Sequence, residues 1–77
     1  MLNFYKLLDA GQSTEISVRT YDHTNPVDVD DVVFIEEVPV AKVQACSSGE
    51  AGFWTVYLDR AIKPIPMLGT LLVIGKP

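Results

Sequence analysis

Apolar and polar residues alternate with a period of two over residues 14–21, where Ile16, Val18 and Thr20 fall on one face and Glu15, Ser17, Arg19 and Tyr21 on the other. This is the pattern of a half-buried strand. Residues 2–8 mix apolar and aromatic side chains and stop at Asp9-Ala10-Gly11-Gln12, where Gly11 can take the positive φ that a tight turn often requires. The two segments together predict a hairpin. Residues 22–31 read as a polar loop centred on Asn25-Pro26, because the proline ring fixes φ and pushes the preceding residue away from helical geometry. Residues 32–46 are rich in β-branched side chains, but Pro39 cannot donate to a sheet ladder and predicts an edge, a bulge or a sharp bend between two half-strands. In the second half Ala41, Val43 and Ala45 point one way, and Lys42 and Gln44 the other.

The glycine-containing stretch 47–52 has a length suited to a hairpin loop. Across it, residues 53–60 place Trp54, Val56 and Leu58 on one face and Phe53, Thr55, Tyr57 and Asp59 on the other, so both faces carry aromatics. Pro64 and Pro66 predict an extended connector with few ladder bonds over 61–68. The continuous apolar run at 70–74 suits a strand buried on both sides. No window of a dozen residues keeps a 3.6 period with a cap and a stop. The expected fold is therefore one all-β domain over residues 1–77, a small five- or six-stranded barrel, partly open and SH3-like or OB-like.

Length sharpens this picture, since 77 residues bury only about 60% of the surface that the unfolded chain exposes. Such a domain gains from a metal, a disulfide or a partner. Cys46 is the only cysteine, so no disulfide can form within the chain, and a single thiol fits a reducing compartment. A partner is what remains. Hydrophobic residues make up 48% of the chain, too many for a disordered segment. Ten acids against six Lys and Arg give a formal charge of −4, with no basic stripe, which argues against direct contact with nucleic acid. The apolar stretch 65–75 contains Pro66 and falls short of the ~20 residues of a spanning helix, so no membrane association is expected. Residues 1–10 do not read as a signal peptide.

Candidate chemistry is sparse. The carboxylates of Asp28, Asp30 and Asp31 lack the glycine and the spacing of an EF-hand loop, and read as a solvated turn. Glu36 and Glu37 are adjacent and would face opposite sides of a strand unless a bulge intervenes. Nucleophilic catalysis would pair Cys46 or a serine with His23, the only histidine, which lies far away in sequence. No catalytic residue, metal or cofactor is expected. The feature that does suggest function is the row Phe53, Thr55 and Tyr57, with Tyr21 as a neighbour, because exposed aromatics on a sheet often mark a contact surface. Burial of that row under a loop or the first strand is the competing reading. Should Trp54, Val56 and Leu58 face outward instead, the argument transfers to them.

The segment Gly52-Phe53-Trp54-Thr55-Val56-Tyr57-Leu58-Asp59-Arg60-Ala61-Ile62, followed by Pro64, Pro66 and Gly69-Thr70-Leu71-Leu72-Val73-Ile74, resembles a phrase in small β modules of tailed-bacteriophage virion proteins. It covers about a third of the chain. The resemblance implies a structural, decoration or assembly subunit of a phage particle, found in the host cytoplasm during assembly or in the virion, with no catalytic residue to carry over. The expected function is a non-enzymatic interaction module that binds a protein partner or further copies of itself. The alternative is a small acidic inhibitor of a host nucleic-acid enzyme, such as RNA polymerase or a defence nuclease. It would gather Asp28, Asp30, Asp31, Glu36 and Glu37 on one face and bind a basic groove.

Overall fold

The structure, a computed structural model, describes residues 2–12, 14–21, 24–50 and 52–76. They form six strands: β1 (Leu2–Gln12), β2 (Glu15–Thr20), β3 (Val32–Ile35), β4 (Val38–Ser48), β5 (Phe53–Leu58) and β6 (Leu71–Gly75). The strands close into an antiparallel barrel in the order β1-β2-β5-β4-β3-β6. The all-β reading and the small barrel hold. Closure is complete rather than partial, because β6 bonds to both β1 and β3 and leaves no edge between them.

Two long strands make closure possible. β1 pairs with β6 from Leu2↔Gly75 to Lys6↔Leu71, then with β2 from Tyr5↔Thr20 to Gln12↔Glu15. β4 behaves in the same way, pairing with β3 through Lys42 and with β5 from Val43 onward. Each long strand carries register shifts. In β1 they lie between Leu7 and Asp9 and between Asp9 and Gln12; in β4 they lie between Pro39 and Ala41 and between Val43 and Ala45. An extra residue on one strand bends it and tightens its twist. The bend expected at Pro39 is the first of the two in β4, and the barrel wall divides into two half-sheets where β1 and β4 pass from one neighbour to the next. One comprises β6, β3 and the first parts of β1 and β4; the other comprises β2, β5 and their second parts.

The chain order hides a two-fold regularity. Exchanging β1 with β4, β2 with β5 and β3 with β6 reproduces every neighbour relation in the barrel. Each half is a hairpin followed by a crossover, along residues 21–31 in one and 59–70 in the other. Each crossover buries one aliphatic side chain, Val27 in the first and Ile62 in the second. Because β2 and β5 are antiparallel neighbours, the two crossovers leave from opposite ends of the barrel. Each end of the barrel thereby receives one crossover.

The period-two pattern sets the core. Tyr5, Leu7, Ile16, Val18, Val33, Val43, Val56, Leu72 and Ile74 are fully buried inside. Tyr5 is the one large polar-tipped member, and its hydroxyl donates to the Asn25 carbonyl at 3.2 Å, tying the first crossover to the core. Burial, with the Asp31 and Asp28 carboxylates nearby, pushes its phenol from 10.0 up to about 12. The unfolded state therefore loses this proton first as pH rises. Stability should be unaffected below pH ~10 and fall by about 2–3 kcal/mol between pH ~10 and ~12. Tyr5→Phe should cost about 1 kcal/mol at neutral pH and flatten that alkaline loss, as measured by urea denaturation across the pH range. An alkaline limb of unchanged size in the variant would assign the loss to another group.

Candidate interaction surface

Strand β5 faces as the alternation indicates. Val56 and Leu58 are buried, Trp54 packs against the core, and Phe53, Thr55 and Tyr57 lie on the outside. Their surroundings are polar. The cross-strand neighbours are Glu15, Ser17 and Arg19 on β2, and Ala45 and Ser47 on β4. The Arg19 guanidinium lies 5.4 Å from the centre of the Phe53 ring, a cation–π contact that covers part of it. Tyr57 is 39% exposed and stands between Glu15 and Ala45.

Tyr21 belongs to a different row. Its N–H donates to the Phe4 carbonyl at 3.0 Å, which extends the β1–β2 ladder by one step and sets Tyr21 opposite Phe4. From Phe4 the row crosses to Val73 on β6, to Phe34 on β3 and to Pro39 on β4. These positions share the outer face, because their strand neighbours Tyr5, Leu72, Ile74 and Val33 are buried inside. Phe4 is 52% exposed, and Leu71, two residues along the same face from Val73, is 43% exposed.

The result is a trough. Phe4 and Phe34 stand on either side of β6, two inter-strand spacings or about 10 Å apart, and Val73 and Leu71 form the floor between them. Its volume is about 480 Å³, and Glu36 and Glu37 complete the lining. The run at 70–74 was expected to be buried on both faces; instead Leu72 and Ile74 are buried inside, while the outer Leu71 and Val73 line an open trough. Sequence reading missed Phe4, Phe34, Leu71 and Val73 as a group. The available signal was the outer face of that run, which is apolar at Leu71 and Val73.

The acidic wall has an unusual backbone. Ile35 pairs with Val38, so Glu36 and Glu37 are the whole turn, and both have positive φ, 51° and 69°. Two left-handed residues are what a type I′ turn requires, and Asn-Gly fits that requirement far better than two glutamates. Glu36→Asn combined with Glu37→Gly should stabilise the chain by about 1 kcal/mol or more by thermal denaturation. A destabilised double variant would show that the glutamate side chains support the hairpin.

The other acids lie elsewhere. Asp31 is nearly buried beside the start of β3; its carboxylate accepts the Asp28 N–H at 3.0 Å and the Lys76 ammonium at 3.0 Å. Asp30, at φ 73°, lies 3.8 Å from the Lys42 ammonium. Asp28, Asp30 and Asp31 therefore precede β3 while Glu36 and Glu37 follow it, and the five acids are divided between the two ends of that strand. Among the described residues, no group of three or more His, Cys, Asp or Glu is placed to hold a metal ion.

Cys46 serves the architecture. Its thiol donates to the Val27 carbonyl at 3.3 Å, and burial, helped by Asp28 and Asp31, raises its pKa. A raised pKa withholds the thiolate that nucleophilic chemistry uses. His23, the base considered with it, lies outside the described residues, as does Asp22. Among the described residues no helix is long and apolar enough to cross a membrane. No protein-family model matches the chain, and no curated protein matches it significantly.

Proposed function

We propose that this chain is a non-enzymatic protein-interaction module that seats a partner in the trough between Phe4 and Phe34, and that it serves as a small structural, decoration or assembly subunit of a tailed-phage particle. The observation that carries the docking role is the outer face of β1, β6 and β3, where apolar side chains form a concave, open surface. Contiguous exposed apolar surface on a soluble domain commonly marks a contact site. The phage setting is supported by the phrase running from Gly52 to Ile74, and with it a site of action in the host cytoplasm during assembly or in the virion. The acidic-inhibitor reading finds less support, because its five carboxylates do not share one end of the molecule and two of them already face lysines.

Site-specific photo-crosslinking tests the docking role. A benzophenone amino acid at position 71, in the trough, should give a defined cross-linked product in the cells that make the protein. The same probe at position 57, on the polar half-sheet, should give far less. Equal yields at the two positions, or a product only at 57, would remove the trough from the proposal.

A further inference from the structure

We infer that the trough takes a short segment of another protein in which a large apolar side chain is followed closely by Lys or Arg, and not a second copy of this chain. The inference rests on the docking role proposed above and adds the chemistry of the occupant. Three observations support it. A two-fold dimer brings the same patch against itself, and this patch is concave, so two copies would face each other across a void. The chain carries −4, and each copy would bring its own Glu36 and Glu37 to the contact. These two carboxylates are exposed, and among the described residues neither makes an ion pair.

The third observation decides the charge of the partner. An apolar segment lying over Val73 and Leu71 and against the glutamate wall would strip water from two carboxylates and return nothing. A Lys or Arg one or two residues from the apolar anchor replaces that water with a charge-assisted hydrogen bond. Lys6 lies across from Leu71 on β1 and is not part of the trough lining. The balance at the site therefore favours a basic segment. With a width of about two strand spacings, the trough suits side chains from one extended stretch rather than a whole helix, whose diameter is about 10–12 Å.

A yeast-displayed library of random peptides, selected on the immobilised full-length chain and counter-selected on its Phe34→Thr variant, tests this directly. Enriched sequences should combine Phe, Tyr, Trp or Leu with a nearby Lys or Arg. Their affinity should drop about three- to tenfold for a Glu36→Gln, Glu37→Gln chain, with the difference shrinking at high salt. Enriched peptides without basic residues, or with acidic ones, would overturn the inference and leave the docking role standing. So would unchanged affinity in the glutamine variant. If the chain instead sediments as a dimer that Phe34→Thr dissociates, the occupant is a second copy and the inference fails alone. If neither peptides nor dimers depend on Phe34, the docking role fails with it.

Discussion

Leu72→Ala is expected to cost about 3 kcal/mol of stability, while Leu71→Ala, one residue away, should cost less than about 1 kcal/mol. Leu72 is wholly buried, pairs with Tyr5 across the β1–β6 ladder and has no route to solvent; Leu71 is on the outside. Truncating a buried leucine removes transfer energy and leaves a cavity, together about 2–5 kcal/mol. For a chain of 77 residues, whose total stability should be about 4–12 kcal/mol, that is a large fraction. The midpoint of thermal unfolding should fall by about 15 °C for Leu72→Ala and by only a few degrees for Leu71→Ala. The reverse order would mean that β6 has its faces exchanged, and the trough would lose its floor.

Phe34→Thr should release a bound partner almost completely without unfolding the barrel. Phe34 is one wall of the trough and lies on the outer face, and threonine keeps the strand preference of the position while removing the ring. Aromatic anchors in the middle of a contact commonly carry 2 kcal/mol or more, which corresponds to a loss of affinity of about thirtyfold. The amount of cross-link-identified partner that copurifies with a tagged chain measures this. Tyr57→Thr on the opposite half-sheet should keep the partner within about twofold. If Tyr57→Thr releases the partner and Phe34→Thr retains it, the contact lies on the row around Phe53.

The sequence carried the strands well and their arrangement poorly. Alternation in 14–21 and 53–60 is local information, so the faces of β2 and β5 could be read from it, and the proline ring at position 39 marked the bend in β4 because its chemistry is local too. Closure is not local. It depends on β6 inserting between β1 and β3, a pairing of segments about forty and about seventy residues apart, and on two long strands each serving two half-sheets. The candidate surface was lost for the same reason. Phe4, Phe34 and Val73 become neighbours only through that pairing, and a strand that is apolar on both faces looks the same in sequence whether its outer face is covered or open. Tyr21 illustrates both halves of the lesson. Its outward direction was legible from the alternation, but its neighbour is Phe4, set by the β1–β2 register, and the polar row around Thr55 lies elsewhere.

The acids teach something related. Five carboxylates within ten residues look like one patch, but β3 runs between them and carries Glu36 and Glu37 to the far end of the strand. There the turn delivers both side chains to the trough at a conformational cost, while Asp31 is used inside the fold to hold the Asp28 N–H and the Lys76 ammonium. Composition gave the charge; only the topology assigns it two jobs.

Hydroxyl-radical footprinting of the chain alone and within its native assembly tests the central claim most directly. Oxidation at Phe4, Phe34 and Leu71 is expected to fall sharply in the assembly. Tyr57 should be unchanged, and so should Met67, which is 84% exposed on the second crossover. Protection of Tyr57 and Phe53 with undiminished oxidation at Phe4, Phe34 and Leu71 would contradict the claim that this barrel meets its partner through the trough.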